Sequence, residues 1–152
     1  MTPGLIRATI VAAKISYTRE MIDAIRSLPL SSHNDFTSDN RNAAAAESYL
    51  RRALESLFDL GRHIAAKAFA SAPAEYKEIA DFLTKKGVIS PEEGRMLKTM
   101  AGYRNRMVHF YNEISEKELY DICREDINDI ETILDAITTW LRVHPKKVDT
   151  RL

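Results

Sequence analysis

Apolar residues recur every three or four positions through nearly the whole chain, and no stretch alternates apolar with polar long enough to suggest a strand. That spacing restricts the chain to helices whose apolar stripes must bury against one another. The few glycines and prolines fall mostly where such helices would begin or end. The first helix is expected over residues 5–28, with Ile6, Ile10, Ala13, Tyr17, Met21 and Ile25 as its buried stripe and Pro29 as its stop. The polar segment at 31–40 reads as a loop. A longer helix follows over 40–70, capped by Asp39 and continued along one face by Tyr49, Ala53, Leu57, Leu60, Ile64 and Ala68. Pro73 marks the start of a short helix carrying Tyr76, Ile79, Ala80 and Leu83, closed by Lys85, Lys86 and Gly87.

The sharpest boundary is Ser90-Pro91-Glu92-Glu93, which offers a capping hydroxyl, a proline at the first helical position and a carboxylate three residues on. Ser115-Glu116-Lys117-Glu118 repeats that box and opens the last helix, with Leu119, Ile122, Ile130, Ile133, Leu134, Ile137 and Trp140. The expected fold class is all-α: a single-domain bundle of about five helices over residues 1–142, without a sheet, and with a frayed tail at 143–152.

A length of 152 residues suits one domain with a real apolar core. No apolar run approaches the roughly 18–20 residues of a membrane span, and no signal-peptide pattern opens the chain, so a cytoplasmic protein is expected. Cys123 is the only cysteine, which excludes an intrachain disulfide and a cysteine-rich zinc site. The four histidines lack metal-ligand spacing, so neither a metal nor a cofactor is expected. No glycine-rich phosphate loop is present, which argues against a nucleotidyltransferase. Basic and acidic residues balance at 22 each, so any RNA contact has to be local.

Charge is uneven in one place. From position 94 to 112 the chain carries Arg95, Lys98, Arg104 and Arg106 and no acidic residue, whereas 116–131 holds seven acids against Lys117 and Arg124. Two readings stay open: ordinary pairing between helix faces, or an anion site free of competing carboxylates. Within the basic stretch lies Arg104-Asn105-Arg106-Met107-Val108-His109-Phe110-Tyr111. Arginine presents a fixed fork of donors to a phosphate gaining charge, histidine moves protons near neutral pH, and a tyrosine hydroxyl accepts a transferred group. On an unbroken helix Arg104 and His109 would face about 140° apart, whereas Asn105 and His109 share a face. The helix therefore has to end or distort near His109, or the arginine works with a histidine from another chain.

The segment RNRMVHFY matches the R-x4-H-x-Y pattern, and MAGYRNRMVHFY resembles the HepT-like toxins among HEPN-domain proteins. The resemblance extends to AAAESYLRRALESLFDLGRHI (44–64) and YKEIADFLTKKGVISPEEGRML (76–97), and covers roughly 5–140. It implies a metal-independent endoribonuclease, the toxin of a type VII-like toxin–antitoxin pair, acting as a homodimer on RNA (tRNA or mRNA). Its partner would be an MNT-type nucleotidyltransferase antitoxin. By this likeness Arg104 and His109 are catalytic, Asn105 holds one of them in place, and Tyr111 receives AMP. Arg106 and Lys98 are possible RNA-phosphate contacts. The alternative is a HEPN domain that has lost activity and serves as a nucleotide-binding or interaction module.

Other residues have plainer expectations. His63 follows Asp59 by four and reads as an intrahelical pair, while His33 and His144 are not expected as ligands. Met96, Met100 and Met107 suit core or dimer packing. Arg51-Arg52 reads as a solvated face, with contact to RNA or a partner as the other option, and Trp140 is expected to pack.

Overall fold

Helix α3 (Asn40–Phe69) is the axis of the molecule, and the computed structural model describes residues 4–109 and 114–151 around it. Its alanine-rich start forms helix readily, and Asp39 caps it by accepting the Arg41 N–H at 2.9 Å. Leu50, Leu54, Leu57, Phe58, Leu60 and Ile64 are all buried, so α3 is covered on more than one face. Packed against it are α1 (Ala8–Arg26), α4 (Tyr76–Lys85) and α5 (Pro91–Val108). Among the described residues no helix is long and apolar enough to cross a membrane.

The expected stripe of α1 holds only in part: Ile25, and Ile6 just before the helix, are fully buried, but the middle of the stripe is not. Val11, Thr18, Ile22 and Ile25 face inward, while Ala13 and Tyr17 are exposed. The reason is polar. The hydroxyls of Thr18 and Ser56 sit 3.0 Å apart in the α1–α3 seam, and both reach the Lys14 carbonyl. A satisfied hydroxyl pair costs little to bury, and apolar spacing alone ranks both residues as surface.

The segment expected as a loop contains a short helix, α2 (His33–Thr37), capped by the Ser32 hydroxyl accepting the Asp35 N–H at 3.0 Å. Phe36, fully buried, anchors it. Helix α4 begins at Tyr76, three residues after the expected position, because Glu75 and Glu78 form the capping box there. It ends in a glycine-dependent turn: Gly87 takes φ 73°, and the Val88 N–H donates to the Leu83 carbonyl at 2.9 Å. Ser90 and Glu93 cap each other as expected, at 3.1 and 2.7 Å. Gly94 then lets α5 approach α4 closely, since a Cβ at that position would overlap the Thr84 hydroxyl.

The last helix contains a π-helical turn. It comprises α6 (Glu116–Asp121), that turn (Ile122–Asp126) and α7 (Ile127–Val143). Its expected apolar residues, Leu119 through Trp140, are all buried. The Tyr103 hydroxyl on α5 donates to Asp126 at the end of the π turn, 2.7 Å away. Burial foremost, then the neighbouring Asp126 carboxylate, raises the Tyr103 phenol above its ordinary pKa.

The sequence reading expected no sheet, yet β1 (Ile6–Arg7) and β2 (Val148–Asp149) form a minimal parallel pair. β2 follows a 3-10 turn (Pro145–Lys147), so part of the tail expected to fray is seated on the N-terminal segment. His63 assists this closure: its Nε2 accepts the Arg7 N–H at 3.1 Å. Asp59, its expected partner, pairs with Lys14 and Arg62 instead.

Candidate active site

The R-x4-H segment coincides with the end of α5. The helix stops at Val108, and His109 leaves it with extended backbone (φ −96°, ψ 116°) while its N–H still bonds the Asn105 carbonyl at 3.1 Å. Arg104, Asn105 and His109 all line one cavity of about 500 Å³, whose other walls come from Arg62 on α3 and 74–77 at the start of α4.

Arg104 is held from two sides. Its guanidinium lies over the Tyr76 ring, 4.8 Å from the centroid, and its Nε is 3.7 Å from a Glu55 carboxylate oxygen. Nε is buried and makes no hydrogen bond, so ion pairing and stacking orient the group. Tyr76 is in turn stacked on Phe58, with centroids 4.5 Å apart and planes 15° from parallel. Glu55 also accepts Arg51 at 3.3 Å, so this carboxylate ties α3 to α5. Neither Glu55 nor Tyr76 stood out in the sequence. Tyr76 reads only as an apolar residue of the short helix. Only the packing of α3, α4 and α5 brings them to Arg104.

Two other cations of the basic stretch, Arg106 and Lys98, are committed elsewhere. Arg106 places its fork on Glu118, both bonds at 2.7 Å, and does not line the cavity. Glu118 therefore receives Arg106 where the sequence suggested a second full capping box; Ser115 still accepts the Glu118 N–H. The hydrogen bond from Arg106 holds the Glu118 carboxyl below its ordinary pKa. This contribution to stability is present above the usual carboxylate range and is lost as pH falls through the lowered value. Lys98 pairs with Asp81 at 3.1 Å. The acid-free stretch thus acquires its carboxylates in three dimensions: Glu55, Glu118 and Asp81.

The other residues singled out fall mostly in packing roles. Met100 is buried, and Met96 and Met107 flank the core. His33 meets the Tyr120 ring edge-on, and His144 stacks on Trp140 at 4.6 Å. Burial pushes the Cys123 thiol up to about 12, which leaves it a poor nucleophile near neutral pH. Arg52 borders a smaller cavity with Lys14 and Tyr17. Among the described residues no group of three acidic, histidine or cysteine side chains is placed to hold a metal ion. Tyr111 lies outside the described residues.

Residues 18–137 match the family described as ribonuclease HepT-like, a span that includes the whole R-x4-H-x-Y segment. The chain belongs to the HepT-like ribonuclease family. A HepT-like relative, the mRNA nuclease HepT of Shewanella oneidensis, is 26% identical over 88 residues, which is 58% of this chain and 66% of that protein's length. The HEPN fold of the family is evident in solved structures. The tri-AMPylated Shewanella oneidensis HEPN toxin in complex with MNT antitoxin superposes with a TM-score of 0.78 at 23% identity, covering 86% of this chain and 97% of that one. A toxin–antitoxin structure with AMP-PNP gives 0.77 at 22% identity, covering 86% and 98%. The cytosolic protein of unknown function YutE from Bacillus subtilis gives 0.72 at 23%, covering 91% and 95%.

Proposed function

We propose that this HepT-like chain is a metal-independent endoribonuclease, the toxin of a type VII-like pair, and that an MNT-type antitoxin silences it by placing AMP on Tyr111. The observation that carries the reading is that Arg104, Asn105 and His109 line one cavity at the end of α5. A fork of donors and a proton carrier beside the same space suit transfer at a phosphodiester.

The reaction is attack of the ribose 2′-OH on the adjacent phosphorus. His109 takes the 2′-OH proton as the new O–P bond forms, Arg104 stabilises the charge on the phosphorane-like transition state, and the bond to the 5′-oxygen breaks. One histidine cannot serve as base and acid at the same moment. A two-fold homodimer supplies a second His109 to protonate the leaving oxygen. Asn105 supports the site through its carbonyl, which anchors the His109 backbone. The products are a 2′,3′-cyclic phosphate and a 5′-OH.

Unmodified protein should therefore cleave RNA in EDTA and leave cyclic phosphate ends. Fragments ending mainly in 3′-OH, or a strict need for a divalent cation, would overturn the scheme. No cleavage of a broad RNA panel, with nucleotide binding retained, would favour the silent HEPN module.

Tyr111 is two residues beyond His109, so AMP there would bring a bulky anion to the edge of the cavity. RNA would be excluded by volume and by charge. The Tyr111→Phe variant is expected to stay active when incubated with the nucleotidyltransferase and ATP, conditions that silence the parent. Equal silencing of both proteins would place the modification elsewhere.

A further inference from the structure

We infer that the cavity at the end of α5 takes two phosphates of one RNA strand, the second held by Arg62 and Lys77. This rests on the ribonuclease reading for the role of the first phosphate, at Arg104 and His109. A volume of about 500 Å³ lies within the roughly 300–1,000 Å³ of small-molecule sites, more than a lone phosphodiester group fills.

Charge and spacing indicate what occupies the rest. The lining contains Arg62, Lys77 and Arg104 against one carboxylate, Glu75. Glu75 is engaged in capping α4, and Glu55 already offsets Arg104. Arg62 has only a long contact to Asp59, 3.5 Å, and Asp59 is shared with Lys14. Lys77 is exposed and has no carboxylate partner among the described residues. Arg62 and Lys77 therefore bring positive charge to the cavity beyond that of Arg104, and Lys77 brings it without a carboxylate partner among the described residues.

Tyr76 bounds the distance between the Arg104 and Arg62 guanidiniums. Its ring centroid is 4.8 Å from the Arg104 guanidinium carbon and 5.7 Å from that of Arg62, so the two carbons lie within about 10.5 Å of each other. That bound leaves room for two successive phosphates of a single strand. Because Tyr76 is stacked on Phe58, the ring that both guanidiniums lie against is anchored in the core. The ligand class that follows is single-stranded RNA with at least two successive phosphates, and a dinucleoside monophosphate would leave the second position empty.

The test is binding of a fluorescent 2′-O-methyl oligoribonucleotide of about ten nucleotides, which lacks the attacking hydroxyl, measured by anisotropy across a salt series. For single strands each phosphate contact adds roughly 0.7 to the slope of log K against log salt. Arg62→Gln and Lys77→Gln should each reduce the slope by about that amount, and the double variant by about 1.4. Both side chains are substantially exposed, so these variants are expected to fold. Slopes equal to the parent's, or no binding by the parent, would overturn the subsite. The two readings separate cleanly. If the parent cleaves RNA and the variant slopes match it, the subsite fails and the nuclease stands. If the parent cleaves nothing and the slopes still fall, the subsite stands and the nuclease reading fails.

Discussion

His109→Ala is expected to reduce RNA cleavage by about 10³ or more while leaving the protein folded. A single proton-transfer role is worth roughly 10²–10⁴ in rate, and in a homodimer the substitution removes both the base and the acid. The fold should tolerate it because His109 is exposed, and because its backbone N–H, rather than its ring, makes the bond that closes α5. Arg104→Lys is the companion variant. It retains the charge but loses the planar fork that lies over Tyr76, and loss of such a donor costs roughly 10²–10³. Initial rates on a labelled RNA with matched circular dichroism spectra would measure both. A His109→Ala rate within a few-fold of the parent would place the proton transfers on another group.

Phe58→Ala should be the most damaging substitution for stability. Phe58 is fully buried in the central helix and supports the Tyr76 ring that carries Arg104. Truncating a buried phenylalanine to alanine costs about 3–5 kcal/mol, a large share of the roughly 5–15 kcal/mol that holds such a domain together. For a chain of this size the midpoint of thermal unfolding would fall by roughly 6–20 °C. Trp140, the only tryptophan, reports the transition by fluorescence. Phe58→Leu retains most of the apolar volume and should lose much less. The loss should also reach the site, because Tyr76 would no longer have its stacking partner. A drop of under 1 kcal/mol would mean that the core around α3 can refill the space.

Periodicity and capping chemistry were enough to establish the long helices, but not the short α2, which lies in a segment that reads as a loop. The stripe of α7 and one buried face of α3 are legible because Leu and Ile recur there at helical spacing. The Ser90–Glu93 box is legible because its reciprocal bonds are local. The R-x4-H-x-Y segment is equally local, and with it the candidate catalytic residues and the choice between a helix that ends or distorts near His109 and a histidine from another chain. The phase of α1 was not legible, since it turns on Thr18 meeting Ser56 from a distant helix. Nor was the pairing of Ile6–Arg7 with Val148–Asp149, which joins opposite ends of the chain.

The surroundings of the site show the same division. Sequence placed Arg104, Asn105 and His109 together and found the basic stretch without acids. Tertiary structure decided that Glu55 and Tyr76 hold Arg104, that Glu118 and Asp81 take Arg106 and Lys98, and that Arg62 and Lys77 share the cavity. The physical reason is range. Helix propensity, capping and motif spacing act over a turn or two of backbone. The charge a phosphate would meet is the sum over side chains that only the packing of α3, α4 and α5 brings within a few ångströms.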